Sequence, residues 1–228
     1  MNSRVILVSD DRSSLRSPDT LLWPDAACMR GIHTGEWTAH IFEYAMSFEG
    51  NMTQVRELAA ANGVGVLHPH GALATDPPGL IVCDVDSTVT RTEAIDLLAE
   101  CAGNADEVRE ITARAMVGEL DFTQSLYARV RCLEGLHIGA LEEAWKATVI
   151  TPGTAELVAA AHDVGAAVGL VSGGFTAIVD PLAEQIRADF AASNELEIVD
   201  NHLTGRVVGD IIDLSLIHIS EPTRPERI

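Results

Sequence analysis

The chain has 228 residues and a formal net charge of −19, with 15 Lys and Arg against 34 Asp and Glu, and Lys146 is its only lysine. That length holds one ordinary domain with an appendage, or two small domains, and a hydrophobic fraction of 47% excludes wholesale disorder. A strongly acidic surface repels phosphate backbones and anionic lipids, so nucleic acid and membrane surfaces are excluded as natural partners.

Residues 1–75 read as a small α+β region. Residues 5–8 have the pattern of a short strand, and a Ser/Pro/Asp-rich stretch follows to about Asp25. Residues 39–48 read as a strand, 53–61 as a helix stopped by Gly63, and 64–67 as another strand. The proline-rich stretch 68–78 reads as a linker. Residues 80–213 alternate strand and helix. The continuous apolar run Leu80-Ile81-Val82-Cys83 predicts a strand buried on both faces of a parallel sheet. Helical patterns occupy the chain to about Thr148. Thr151-Pro152-Gly153 then opens a helix with Leu157, Val158, Ala161 and Val164 on one face and Gly165 as its stop. Residues 167–171 predict a second buried strand ending in Ser172-Gly173-Gly174. Asp180-Pro181 reads as an N-cap and first helical residue. Residues 195–199 and 203–208 predict a hairpin turning at Asp200-Asn201.

Asp84 and Asp86 follow the first of these buried strands. If Asp84 is the last extended residue, the chain must bend after it for both carboxylates to face one site. Such a pair suits a hard divalent cation, Mg²⁺ above all, with substrate phosphate supplying further oxygens. It also suits divided labour, one carboxylate as nucleophile and the other moving protons. Ser172, Gly173 and Gly174 offer a hydroxyl and closely approachable amides, an anion cradle at a helix start. Asp-x-Asp alone also describes a turn, and Ser-Gly-Gly a loop. Together, at two parallel strand ends, they mark the crevice where open α/β sheets bind ligands, and favour phosphoryl transfer.

Residues 80–88 resemble the first motif of haloacid-dehalogenase-type phosphatases, hydrophobic residues followed by DxDxT. The strings "DVDSTVTRTEAIDLLAECAG", "GELDFTQSLYARV", "VSGGF" and "ASNELEIVDNHLTGRVVGDIID" resemble the phosphoserine phosphatase family over residues 80–213. The resemblance implies a Rossmann-like parallel sheet with a helical cap inserted at about 92–148. It implies Asp84 as nucleophile and Mg²⁺ ligand, and Asp86 as proton donor and acceptor with its backbone carbonyl on the metal. Ser172 and Gly173 would hold the phosphoryl oxygens. Glu93 and Arg129 would recognise the amino and carboxylate ends of O-phosphoserine, with Met116 and Phe122 lining the pocket. Periodicity bears separately on Arg129. Asp121 and Gln124 form a capping-box pair, and Phe122, Leu126, Val130 and Leu133 an apolar stripe. Arg129, seven residues after Phe122, sits on that face and Arg131 opposite it. A guanidinium there needs an anion: a substrate carboxylate, or an internal partner such as Glu119 or Asp121.

The same family has a lysine just past the position of Asp213 and a GDGxND strand end completing the metal site. The chain instead reads "LSLIHISEPTRPERI", with Ile217 where the lysine is expected. Residues 214–224 resemble a translated sequencing-library adapter, so 214–228 are expected to be an artefactual tail, the sheet incomplete and this chain inactive. The strand-helix-strand order of residues 39–67 resembles half of an ACT-type regulatory fold. No ligand-binding glycine signature accompanies it, and the region reads as a degenerate appendage.

Other features are weaker. His68-Pro69-His70 reads as solvent-exposed rather than as a metal clip, and Val5 to Asp11 only superficially resembles a receiver-domain strand. Cys28, Cys83, Cys101 and Cys132 show no CxxC spacing and read as packing residues in a reduced, cytoplasmic compartment. Trp23, Trp37 and Trp145 form no stacking platform. The rival readings are a related phosphatase for another small phosphomonoester and a non-catalytic amino-acid-binding regulator.

Overall fold

The computed structural model describes residues 4–9, 27–33, 38–43, 52–69 and 71–213. The Ser/Pro/Asp-rich stretch, Asp10, Asp11, Trp23, Trp37, residues 44–48, His70 and the whole of 214–228, Ile217 included, lie outside the described residues. The chain divides into two compact units, Met1–Pro77 and Pro78–Ile228.

The first unit holds β1 (Arg4–Ser9), β2 (Ala27–His33), β3 (Thr38–Glu43), α1 (Met52–Ala61) and β4 (Gly65–Leu67). Its sheet has the order β2-β3-β1-β4 with every neighbouring pair antiparallel. Leu7 and Ala59 are buried, and Gly63 takes a left-handed φ of 69° to turn the chain out of α1. No element was expected at β2: Arg30 and Gly31 interrupt its apolar pattern, and a bulge between Cys28 and Arg30 breaks its alternation. The expected linker carries one 3₁₀ turn, Gly71–Ala74.

The second unit is α/β. Strands β5 (Leu80–Cys83), β6 (Ala167–Phe175), β7 (Phe190–Val199) and β8 (His202–Val208) lie in that order, the first three parallel and the last antiparallel. β6 is central and buried almost throughout, as its apolar run requires. β5 departs from expectation. It borders the described sheet, Leu80 is exposed and Ile81 to Cys83 are half-buried, because the helices cover an edge strand incompletely. Asp200 and Asn201 both adopt left-handed φ, 50° and 61°, which is the twist a two-residue hairpin demands.

Four helices form the insertion that follows β5: α2 (Ala94–Ala102), α3 (Ala105–Met116), α4 (Phe122–Arg131) and α5 (Gly139–Ala147). α4 starts at the expected capping box: Asp121 Oδ1 accepts from Gln124 N at 2.7 Å, and Gln124 Oε1 accepts from Asp121 N at 3.0 Å. Leu126, Val130 and Leu133 pack with Leu98 and Val108 in a core that continues into Phe175, Ile178, Leu196 and Leu203 of the sheet side. Burying each such side chain contributes about 1.5–3 kcal/mol. The insertion is fastened twice. At its base Arg91 N donates to Val149 O and Thr151 N to Val89 O; farther along, Gly135 N donates to Leu203 O, Leu203 N to Leu136 O and Ile138 N to Asn201 O.

Two helices after the insertion correct the sequence reading. In α6 (Thr154–Asp163) only Val158 and Ala161 are buried. Leu157 is 48% and Val164 53% exposed, since one turn-spaced pair suffices to seat a helix with a narrow contact. α7 (Thr176–Ile186) starts four residues before Asp180, so Pro181 lies inside it rather than opening it. Burial of Ile178 and Val179 extends the helix upstream and outweighs the hydrogen bond that Pro181 forgoes.

Candidate active site

The ends of β5 and β6 meet over one pocket of about 180 Å³, lined by Asp84, Asp86, Glu93, Phe122, Arg129 and Gly173 among others. The expected bend after Asp84 is present. Residues Val85–Val89 coil tightly, with Ser87 in the left-handed region at φ 56° and Thr90 N donating to Val85 O at 2.9 Å. Thr88 Oγ1 donates to Asp84 Oδ2 at 2.9 Å, orienting that carboxylate.

Asp86 is held from two directions. Ala94 N, the first amide of α2, donates to its Oδ1 at 2.9 Å, and Ser172 Oγ donates to its Oδ2 at 3.1 Å. Its carboxyl is raised above the ordinary aspartate range because burial penalises the charge; the two hydrogen bonds pull the other way, and Glu93 and Asp84 add to the rise. A carboxyl so poised is suited to carry a proton.

Ser172–Gly174 lie within β6 rather than in a loop beyond it. The pairing with β7 passes from Val171↔Ala192 to Phe175↔Asn194, leaving extra residues on β6 as a bulge. Gly174 N donates to Ser172 Oγ at 2.8 Å. A side chain at 174 would stand 2.7 Å from Asp86 Oδ2, and one at 173 would stand 2.8 Å from the Phe122 ring. Close approach therefore requires glycine at 174, while at 173 it meets the far end of a ring that can shift.

Arg129 is half-buried on α4 and Arg131 exposed, as the periodicity implies. Desolvation lowers the Arg129 guanidinium, and the nearby charges of Glu93, Asp96 and Asp86 oppose that. Its Nε donates to Ser125 O of its own helix at 3.3 Å. The internal partners considered for it are otherwise engaged: Glu119 pairs with Arg114 at 3.0 Å, and Asp121 caps α4. Among the described residues Arg129 forms no ion pair, although Glu93 lines the same pocket.

Of the site residues read from sequence, Asp84, Asp86, Glu93, Phe122, Arg129 and Gly173 converge on the pocket, and Ser172 lies beneath it, bonded to Asp86. Met116 does not join them. It ends α3 and is 84% exposed, because the turn into α4 carries it out to solvent. Lys146 is exposed on α5 and bonded to Glu142 at 2.7 Å. One important residue was missed. Asn194 is buried and its Nδ2 donates to both Gly173 O (3.0 Å) and Ile212 O (2.9 Å), while Oδ1 accepts from Ile212 N at 2.9 Å. The one available signal was an amide beside the apolar start of β7.

Hard oxygen donors are present for a cation. Both carboxylate oxygens of Asp86 are engaged by protein donors, so its main-chain carbonyl is what it would offer beside the carboxylate of Asp84. Among the described residues no group of three or more His, Cys, Asp or Glu is placed to hold one metal ion, so the remaining ligands would be water and phosphate oxygens, the habit of Mg²⁺.

Residues 81–214 match the haloacid dehalogenase-like hydrolase family. The chain belongs to that family. A phosphoserine phosphatase of Streptomyces coelicolor is 48% identical over 155 residues, 68% of this chain and 38% of that protein. The crystal structure of a probable phosphoserine phosphatase from Vibrio cholerae, in unliganded form, superposes with a TM-score of 0.70 at 33% identity, covering 93% of this chain and 65% of that one. A structure of a phospho-aspartyl intermediate analogue of phosphoserine phosphatase superposes with a TM-score of 0.55 at 40% identity, over 59% of this chain and 64% of the other. The chain thus spans little more than a third of the Streptomyces relative's length. Among its described residues no helix is long and apolar enough to cross a membrane.

Proposed function

We propose that this hydrolase is a phosphoserine phosphatase, acting on O-phosphoserine through an aspartyl-phosphate on Asp84. One observation carries the reading: Glu93 and Arg129 line a single small pocket with Asp84 and Asp86, opposite charges left unpaired. A ligand bearing an ammonium and a carboxylate on one carbon, with a phosphate one short arm away, satisfies all four. The names of its relatives agree.

In the first displacement Asp84 attacks phosphorus, and the bond from phosphorus to the serine oxygen breaks as the bond to Asp84 Oδ forms. Asp86 gives its proton to the departing oxygen. In the second, Asp86 as carboxylate takes a proton from a water whose oxygen attacks phosphorus, releasing Asp84 and inorganic phosphate. Gly173 and Ser172 hold the transferring oxygens, the Ser172 hydroxyl turning from Asp86 to do so, and Phe122 walls off the amino-acid end. The Asp84 carboxylate and the Asp86 main-chain carbonyl would hold Mg²⁺, and the chemistry supplied there would be neutralisation of phosphoryl charge.

Calorimetric titration with Mg²⁺ present tests the reading. Arg129→Ala should weaken O-phosphoserine roughly ten-fold or more and leave inorganic phosphate unchanged. Equal affinity of variant and parent for O-phosphoserine would overturn it.

A further inference from the structure

The start of α2 shows an unusual division of roles. Glu93 is its N-cap residue, yet the Glu93 side chain does not cap the helix. The amide at the helix start is satisfied from outside, by Asp86 Oδ1 on Ala94 N. That releases the Glu93 carboxylate, and Ser87 Oγ donates to its Oε1 at 3.1 Å. Two consecutive residues of the Asp84 loop thus hold two consecutive residues at the helix start. Among the described residues no other donor reaches the Glu93 side chain, and Glu93 lines the pocket across from Arg129.

Ser87 is also a backbone outlier. Its φ of 56° and ψ of 13° place a residue with a Cβ where glycine is favoured. Glycine at 87 would remove the strain but also the hydroxyl. A long glutamate side chain costs conformational entropy to immobilise when it meets a ligand, and a preformed hydrogen bond removes part of that cost beforehand.

We infer that Ser87 is a specificity-determining positioning residue, which pre-orients Glu93 for the ammonium group of the substrate without touching the phosphate. The inference rests on the functional reading above and assigns the amino-end selectivity of the same pocket to the Asp84 loop. It separates the two charges of the substrate: Ser87 acts on the ammonium through Glu93, and Arg129 acts on the carboxylate independently.

The test is a calorimetric titration of the full chain and of Ser87→Gly and Ser87→Ala, with Mg²⁺ present. Three ligands are used: O-phosphoserine, O-phosphoethanolamine, which has the ammonium without the carboxylate, and phosphoglycolate, which has the carboxylate without the ammonium. Both variants should weaken O-phosphoserine and O-phosphoethanolamine by roughly five-fold and leave phosphoglycolate unchanged. Ser87→Gly should unfold no earlier than the parent, since it relieves a left-handed backbone, which separates lost selectivity from lost folding. Equal weakening of all three ligands, or no weakening of the two amines, overturns the role of Ser87. Failure of the unaltered chain to bind any of the three overturns the functional reading, and this inference with it.

Discussion

Ser172 Oγ donates to Asp86 Oδ2 at 3.1 Å, joining the loop after β5 to the bulge of β6 across 86 residues of sequence. The bond aligns two strand ends that the sheet places side by side, and it fixes the face that Asp86 turns to the pocket. It exists only because position 174 has no side chain.

Gly174→Ala is therefore expected to break it. The new methyl would lie 2.7 Å from Asp86 Oδ2 and 2.9 Å from Ser172 Oγ, and both groups are held by other bonds. A loss of about 1–3 kcal/mol in urea denaturation is expected. Gly173→Ala meets a phenyl ring that can shift, and should cost less.

Asn194→Ala removes three hydrogen bonds from a buried site and strands Gly173 O and Ile212 O. A destabilisation of about 2–4 kcal/mol is expected. Amide hydrogen exchange should rise at residues 172–174 and 211–213 more than in α4. Uniform exchange across the unit would contradict a local clamp.

Asp86 should limit stability at neutral pH. Its carboxyl is raised in the folded state, chiefly by burial. A raised aspartate favours folding below its unfolded pKa, and that contribution disappears as pH rises through the folded value. Asp86→Asn keeps an acceptor for Ala94 N and removes the buried charge. It should raise Tm at pH 7 by roughly 2–4 °C, with the advantage shrinking at acid pH, while removing proton transfer. Thermal melts across pH read this directly.

Asp189 has the opposite sign. Its carboxyl is held below the ordinary range by Val168 N, 2.7 Å away, and by His162 Nε2 at 3.0 Å. A depressed aspartate stabilises above its unfolded pKa, and the contribution is lost as pH falls through the folded value. Asp189→Asn should flatten the acid limb of the stability profile. An unchanged acid limb would rule out this contribution.

Much of the second unit was legible because local pattern and tertiary need agree there. Apolar runs make β6, Asp121 and Gln124 cap α4, and Asp200-Asn201 turns the hairpin. The departures occur where distant contacts decide. Ile178 and Val179 pull α7 past the signal at Asp180-Pro181. β5 borders the described sheet, so its apolar run is less buried than the run itself implies. At the site, residue types and spacing marked Asp84, Asp86 and Arg129. The role of Asn194 depends on Ile212, 18 residues later, which no local pattern encodes. Met116 shows the converse: its apolar chemistry suits a pocket wall, yet the turn after α3 leaves it in solvent.

The two fastenings of the helical insertion constrain how a ligand reaches Asp84. Tilting the whole insertion away from the sheet would break the backbone bonds to Leu203 and Asn201 and split a shared apolar core. The connection from Met116 to Asp121 takes part in neither fastening. Its Met116 and Val117 stand 84% and 74% exposed, and Gly118 carries a φ of 79°. A ligand that needed the insertion to lift as one body would therefore have to break those backbone bonds and open the shared core before it reached Asp84.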